Sequence, residues 1–265
     1  MIVEYHRPKT VEGALKLLSR TDIVTVPLGG GTAIRRTLSD PIAVVDLQEL
    51  KLNTVQGRGN ILEVGATVTL QTLLDTPDLP VALYKAIRHE VAYNIRQVAT
   101  VVGSLVASDG RSPFATTLLA LDTQLRIISR DETQNPPLDL DNELISLGDL
   151  FPLREERLRG RLVTQVQLPL HVRLVYEYVA RTPADRPIVC VALAQWHAGR
   201  TRVALGGYGQ APVVVMDGPE AEGAQAAAQN AYSHAVDDWA SAEYRQEVVG
   251  VLTRRCIETL RAEGL

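Results

Sequence analysis

Asp22-Ile23-Val24-Thr25-Val26-Pro27-Leu28-Gly29-Gly30-Gly31-Thr32 runs from a β-type segment straight into three glycines and a hydroxyl residue. Glycine lets backbone N–H groups turn toward one point and lets a bulky anion come close to the chain. Taken alone, Gly29 to Thr32 reads as a tight turn more often than as a cofactor loop. It is not a Rossmann fingerprint, because no third glycine follows at the required spacing, and it lacks the Gly-Lys-Ser/Thr of a P-loop. A second segment, Asn94-Ile95-Arg96-Gln97-Val98-Ala99-Thr100-Val101-Val102-Gly103-Ser104, offers another small-residue loop with Thr100, Gly103 and Ser104 as donors. Two such loops on either side of one pyrophosphate suit a dinucleotide such as FAD.

Around these segments the chain alternates helical and strand patterns. Thr10 can cap a helix over 11–19, and Ala43-Val44-Val45-Asp46-Leu47 reads as a buried strand. Residues 54–67 read as a hairpin turning at Gly57-Arg58-Gly59-Asn60, and helices are expected over 79–93 and 113–121, followed by a strand over 124–128. The stretch 131–142, with Pro136 and Pro137, reads as a loop. Leu162 to Pro169 alternates at period two and ends on proline, which predicts a domain end near residue 170. From Arg173 the pattern becomes a meander of three strands, 174–180, 188–197 and 202–206, then helices over 220–232 and 241–262. Strands followed by helices predict an α+β C-terminal domain smaller than the α+β region before it.

Bulk properties exclude several classes. A length of 265 residues, with 46% hydrophobic and 22% charged residues, suits a globular chain of one large domain or two. A net charge of -4 argues against a general nucleic-acid binder. Cys190 and Cys256 are the only cysteines, too few and too far apart for a structural zinc or iron–sulfur site. Both lie in apolar runs and read as buried thiols. Polar residues appear by Glu4 and no apolar run spans a bilayer, so a cytoplasmic protein without signal peptide or membrane span is expected. The basic cluster from Arg154 to Arg161 reads as a solvated face or a subunit contact.

With Tyr5-His6-Arg7-Pro8-Lys9 at the start, the two loops resemble those of the FAD-binding medium subunit of molybdenum hydroxylases, the xanthine dehydrogenase and aerobic carbon monoxide dehydrogenase types. Arg181-Thr182-Pro183-Ala184-Asp185-Arg186-Pro187, Val203-Ala204-Leu205-Gly206-Gly207 and Ser241-Ala242-Glu243-Tyr244-Arg245 follow in the family's order, so the resemblance spans nearly the whole chain. It implies an FAD-binding domain of the vanillyl-alcohol-oxidase/PCMH type over 1–170, divided into two lobes whose glycine loops face a shared cleft. It also implies a C-terminal domain over 171–265 like that of carbon monoxide dehydrogenase flavoproteins, with a three-stranded antiparallel sheet and helices. The implied activity is that of an oxidoreductase subunit. FAD passes electrons to an external acceptor, fed by an iron–sulfur subunit and a molybdopterin-binding subunit, and metal ligands are not expected in this chain.

By the same resemblance, cofactor contacts are expected from Gly29, Gly30, Gly31, Thr32 and Ala33, and from Thr100, Val101, Val102, Gly103 and Ser104. Asp109 is the nearest carboxylate able to reach the ribitol, although its offset is wrong. Several positions depart from the family pattern. Val102 replaces one of the paired glycines, Ser104 an asparagine or aspartate, Ala33 an aspartate or serine, and Pro113 falls near an acidic position. Arg159-Gly160-Arg161 stands where a Pro-Gly-Glu-like segment is usual. If Val102 points into the cleft, phosphate cannot approach closely; if it points into the core, the loop still works. These departures keep a second expectation alive, a scaffold or assembly subunit that has lost FAD. A stand-alone flavin oxidase is a third. No acid–base set or nucleophile pattern appears, so no catalytic residue is expected. His6 reads as structural and His89, His171, His197 and His234 as surface residues, while Tyr176, Tyr178 and Tyr208 read either as flavin-stacking rings or as ordinary sheet aromatics.

Overall fold

The computed structural model describes residues 1–34, 41–130 and 140–262. The chain forms two compact units. One comprises Met1–Asp75, Asn94–Ala107 and Gln124–Gln167; the other comprises Thr76–Tyr93, Ser108–Thr123 and the chain from Leu168 onward. Residues 1–170, expected as one domain, are therefore shared between both units.

In the first unit, β1 (Ile2–His6), β2 (Val24–Leu28) and β3 (Ile42–Asp46) make a parallel sheet in the order β1-β3-β2. Central β3 is buried at all five positions, as a parallel strand covered on both faces must be. Pro27 is tolerated because β2 is an edge strand. The helix Val11–Leu18 starts at Thr10, whose hydroxyl accepts from Gly13 N at 3.1 Å. It delivers Ala14, Leu15 and Leu18 to a core with Val45, Leu47 and Leu162. A second sheet joins β4 (Val55–Arg58), β5 (Ile61–Gly65), β6 (Gln124–Arg130), β7 (Leu140–Ser146) and β8 (Leu162–Pro169) in the order β4-β5-β8-β6-β7. Of the loop expected over 131–142, residues 140–142 belong instead to β7, where pairing with β6 supplies the order that Pro136 and Pro137 concealed; 131–139 lie outside the described residues.

In the second unit, β9 (Arg173–Val179), β10 (Val189–Gln195) and β11 (Thr201–Gly206) are the three expected antiparallel strands, and β12 (Val213–Gly218) adds a fourth at the edge. Val191, Leu193, Val203 and Leu205 pack on one face against Val249, Leu252, Cys256 and Leu260 of the helix Ala242–Ala262. The opposite face is also covered. β10 is buried from Val189 to Ala194, and the helix Pro113–Ala120, buried at every position, lies on β10 and β11, while Val81–Glu90 lies on β9. That second layer explains why two segments from the first half of the chain belong to this unit. Among the described residues, no helix is long and apolar enough to cross a membrane.

Arg245 is the largest fully buried side chain here, at 0% exposure. Its Nη1 donates to the carbonyls of Ile188 (2.5 Å) and Gly207 (2.8 Å), and its Nη2 pairs with Asp237 at 2.5 Å. Removing one partner of a buried ion pair leaves the rest desolvated and unpaired. Replacement Arg245→Met is expected to cost about 3–5 kcal/mol, read as a lower midpoint in urea unfolding with unchanged slope.

Candidate functional site

The glycine loop leaves β2 after Leu28 and packs directly on the second segment. A Cβ at Gly30 would lie 1.7 Å from the carbonyl oxygen of Val98, and one at Gly29 would lie 2.8 Å from Thr100 Oγ1. Glycine at 29 and 30 is therefore required by contact between the two segments. Gly31 differs: it takes a φ of +71° and is exposed. The N–H groups of Gly30, Gly31 and Thr32 make no backbone hydrogen bond among the described residues, so this loop presents unpaired donors.

The second segment is not the loop expected from its small residues. Thr100 caps a short helix, Val101–Val106, and its Oγ1 accepts from Gly103 N at 3.1 Å. A Cβ at Gly103 would lie 2.7 Å from that same oxygen, so the cap itself requires glycine. Val101 N donates to Val68 O (2.8 Å) and Ser104 N to Thr100 O (2.9 Å). Three amides expected to face an anion are thus committed within the chain. Small residues suit a helix N-terminus as well as a loop, and only tertiary contact with Val68 separates the two.

Both segments line one cavity of about 280 Å³ within the first unit. That is the low end of ligand pockets, which run to about 300–1,000 Å³, and takes part of a dinucleotide. Gly29 to Ala33 border it, with Thr100, Val102 and Gly103. Val102, partly exposed, lies in the wall rather than in the core. Val101, by contrast, is fully buried. Leu28, Leu47, Val106, Leu158, Leu162 and Val163 make much of the remaining wall apolar, and Arg161 is its one charged residue among the described residues. Arg161 was hidden in the Arg154–Arg161 cluster, where charge alone suggested a solvated face. The residues present fit an anion chiefly through the first loop's unpaired amides and one guanidinium, since three of the second segment's amides are already bonded.

The remaining candidates lie in the second unit. Asp109 is held by both guanidinium nitrogens of Arg186 (2.7 and 2.8 Å) and accepts from Arg111 N at 2.8 Å. Its carboxylate is thus engaged in a bidentate pair. Pro113 opens its helix behind the Ser112 cap, and the carboxylate beside it comes from Glu90, which accepts from Ser112 Oγ (2.8 Å) and Phe114 N (3.0 Å). Burial pushes the Glu90 carboxyl above its usual range. No sequence signal marks Glu90, because helix packing alone brings it to Ser112.

His89 corrects a surface expectation. It packs against Tyr178 in a tilted arrangement with ring centroids 4.1 Å apart, and its Nε2 meets the Asp185 carbonyl at 2.6 Å. A carbonyl only accepts, so Nε2 carries the proton and Nδ1 accepts from the Tyr176 hydroxyl at 3.1 Å. Tyr176 is buried and behaves as a sheet aromatic; Tyr178 keeps an exposed portion, and Tyr208 lies 5.2 Å from the Arg245 guanidinium. Cys190 and Cys256 are free and buried, and burial pushes the Cys190 thiol up to about 12.

Comparison with known proteins matches residues 1–171 to the family described as FAD binding domain in molybdopterin dehydrogenase. The uncharacterized protein YgfM of Escherichia coli K12 is 27% identical over 259 residues, covering 95% of this chain and 94% of its own. The nicotine 6-hydroxylase medium subunit of Paenarthrobacter nicotinovorans is 28% identical over 281 residues, covering 96% of each chain. A chain in the crystal structure of cyanide-inactivated Cu,Mo-CO dehydrogenase superposes with a TM-score of 0.77 at 21% identity, covering 97% of both chains, and so shares the fold.

Two outcomes follow from this geometry. Gly30→Ala must push the loop away from Val98, and overpacking of this kind costs about 1–3 kcal/mol; the urea midpoint is expected to fall accordingly. Burial holds the His89 imidazole below its ordinary value of 6.5. The unfolded chain then binds the proton more readily, so this contribution is complete above pH 6.5 and is lost as pH falls toward the lowered folded value. His89→Gln is expected to flatten the fall of melting temperature between about pH 6.5 and 5.

Proposed function

The chain belongs to the family of FAD-binding domains found in molybdopterin dehydrogenases, and from that premise we propose that it is the flavin-bearing, electron-transferring subunit of a molybdenum hydroxylase-type complex. The observation that carries the reading is similarity along nearly the full length of a medium subunit, joined to a loop of unpaired amides in an otherwise apolar cavity. FAD, when bound, supplies the exchange between one-electron donors and a two-electron acceptor. The chain binds and orients it. Gly30, Gly31 and Thr32 offer N–H donors to the pyrophosphate, and the wall of Leu47, Val106 and Leu162 excludes water. An iron–sulfur subunit delivers the electrons and a molybdopterin-binding subunit oxidises the substrate, so the isolated chain turns over nothing by itself. A cytoplasmic location belongs to the same proposal.

One observation favours a second reading, a scaffold subunit without flavin. Val102 stands in the cavity wall, and the amides of Val101, Gly103 and Ser104 are already bonded.

Purification of the full chain separates the two. Absorption in the flavin region, with FAD released on denaturation, is expected from the flavoprotein; colourless protein that takes up no added FAD would leave the scaffold. Val102→Gly opens the wall and is expected to tighten FAD several-fold, measured by equilibrium dialysis beside the parent. Equal affinity would show that the isopropyl group does not obstruct the phosphate.

A further inference from the structure

The short helix Arg154–Arg157 is followed by a turn in which Arg161 N donates to Leu158 O at 3.2 Å and Gly160 takes a φ of +69°. Leu158, Arg161, Leu162 and Val163 from this turn and the start of β8 all enter the cavity wall. Arg161 Nη1 lies 3.1 Å from Glu143 Oε2, and Arg157 Nη1 lies 3.1 Å from Glu143 Oε1. One carboxylate thus stands between two guanidiniums, which leaves one positive charge without a partner in this cluster. Arg161 is 37% exposed at the side chain, and Glu143 takes only one of its five N–H donors.

We propose that Arg161 is a cofactor-binding residue, holding the diphosphate of an adenine dinucleotide together with the unpaired amides of Gly30 to Thr32. The inference rests on the flavoprotein reading and assigns it a contact that the two sequence loops do not contain. The physical case has three parts. A guanidinium presents its donors in a fork that matches phosphate oxygens two at a time. The apolar wall covers the rest of the guanidinium's side chain and lowers the local dielectric there, which strengthens the attraction. The need is specific to this chain, because Thr100 and Val68 take the amides of Val101, Gly103 and Ser104 in the second segment and the Val102 side chain occupies its surface. An arginine where a Pro-Gly-Glu-like segment would place an acid reverses the charge at the cavity and replaces lost hydrogen bonds with one ionic contact.

Two substitutions with opposite signs test the proposal in the full-length protein. Arg161→Gln is expected to weaken FAD about tenfold, the size of one charge-assisted contact; Arg161→Lys should recover part of that loss. Glu143→Gln frees the guanidinium and is expected to tighten FAD a few-fold. Affinities are read by titration calorimetry at two salt concentrations, and the parent should weaken more with salt than Arg161→Gln does. ADP should compete with FAD in the parent, and FMN, which lacks the diphosphate, should not. Melting temperatures near that of the parent establish that the variants fold. Parent-like FAD affinity in Arg161→Gln would overturn the assignment and leave the flavoprotein reading standing. A parent that binds neither FAD nor ADP would overturn both.

Discussion

The Thr100 side chain fits where Gly29 and Gly103 have no side chain of their own, and the cavity depends on that fit. A Cβ at either glycine would come within 2.8 Å of the threonine hydroxyl oxygen. The same oxygen caps the helix Val101–Val106. One hydroxyl therefore fixes the approach of the glycine loop and the start of the helix that carries Val102. The Gly30 contact with the Val98 carbonyl completes the lock. Glycines that suggest close approach of phosphate are, at three positions, glycines that permit close approach of the chain to itself.

This lock divides the donors unequally. The first loop is fixed from behind, and among the described residues the N–H groups of Gly30, Gly31 and Thr32 have no hydrogen bond; the second segment spends those of Val101, Gly103 and Ser104 on Val68 and on Thr100. The open amides bordering the cavity therefore come mainly from the first loop. Positive charge at the wall comes from Arg161, the residue of the basic cluster that enters the cavity.

The second unit is organised by burial on both faces of one sheet. The run from Val189 to Ala194 has no polar face, so a second layer of helices is required, and two segments that lie in sequence between β5 and β6 of the first unit supply it. Arg245 then holds the ends of that sheet from inside through two carbonyls and Asp237. The same packing sets the chemistry of its titratable groups. Burial beside Tyr176 and Tyr178 holds the His89 imidazole below its ordinary value despite the Asp185 carbonyl, which favours the charged form, and Asp109 is occupied by Arg186.

Local patterns legible in the sequence were those that rest on spacing. The cap at Thr10, the helix after Ser241, the three strands of the C-terminal meander, the buried thiols and the order of family segments all follow from neighbours in the chain. The second segment misled because a helix start and a donor loop use the same small residues, and β7 was concealed because its partner β6 lies beyond two prolines. Ser112 and Glu90, or Arg161 and the glycine loop, are far apart in sequence, and no periodicity connects them. Lineage, the α+β class and the two segments of the candidate site were readable from contiguous residues, because each is written in neighbours along the chain. Which amides stay open, where Val102 faces and which charge stands in the cavity wall came from the fold, because each depends on what distant parts of the chain bring against it.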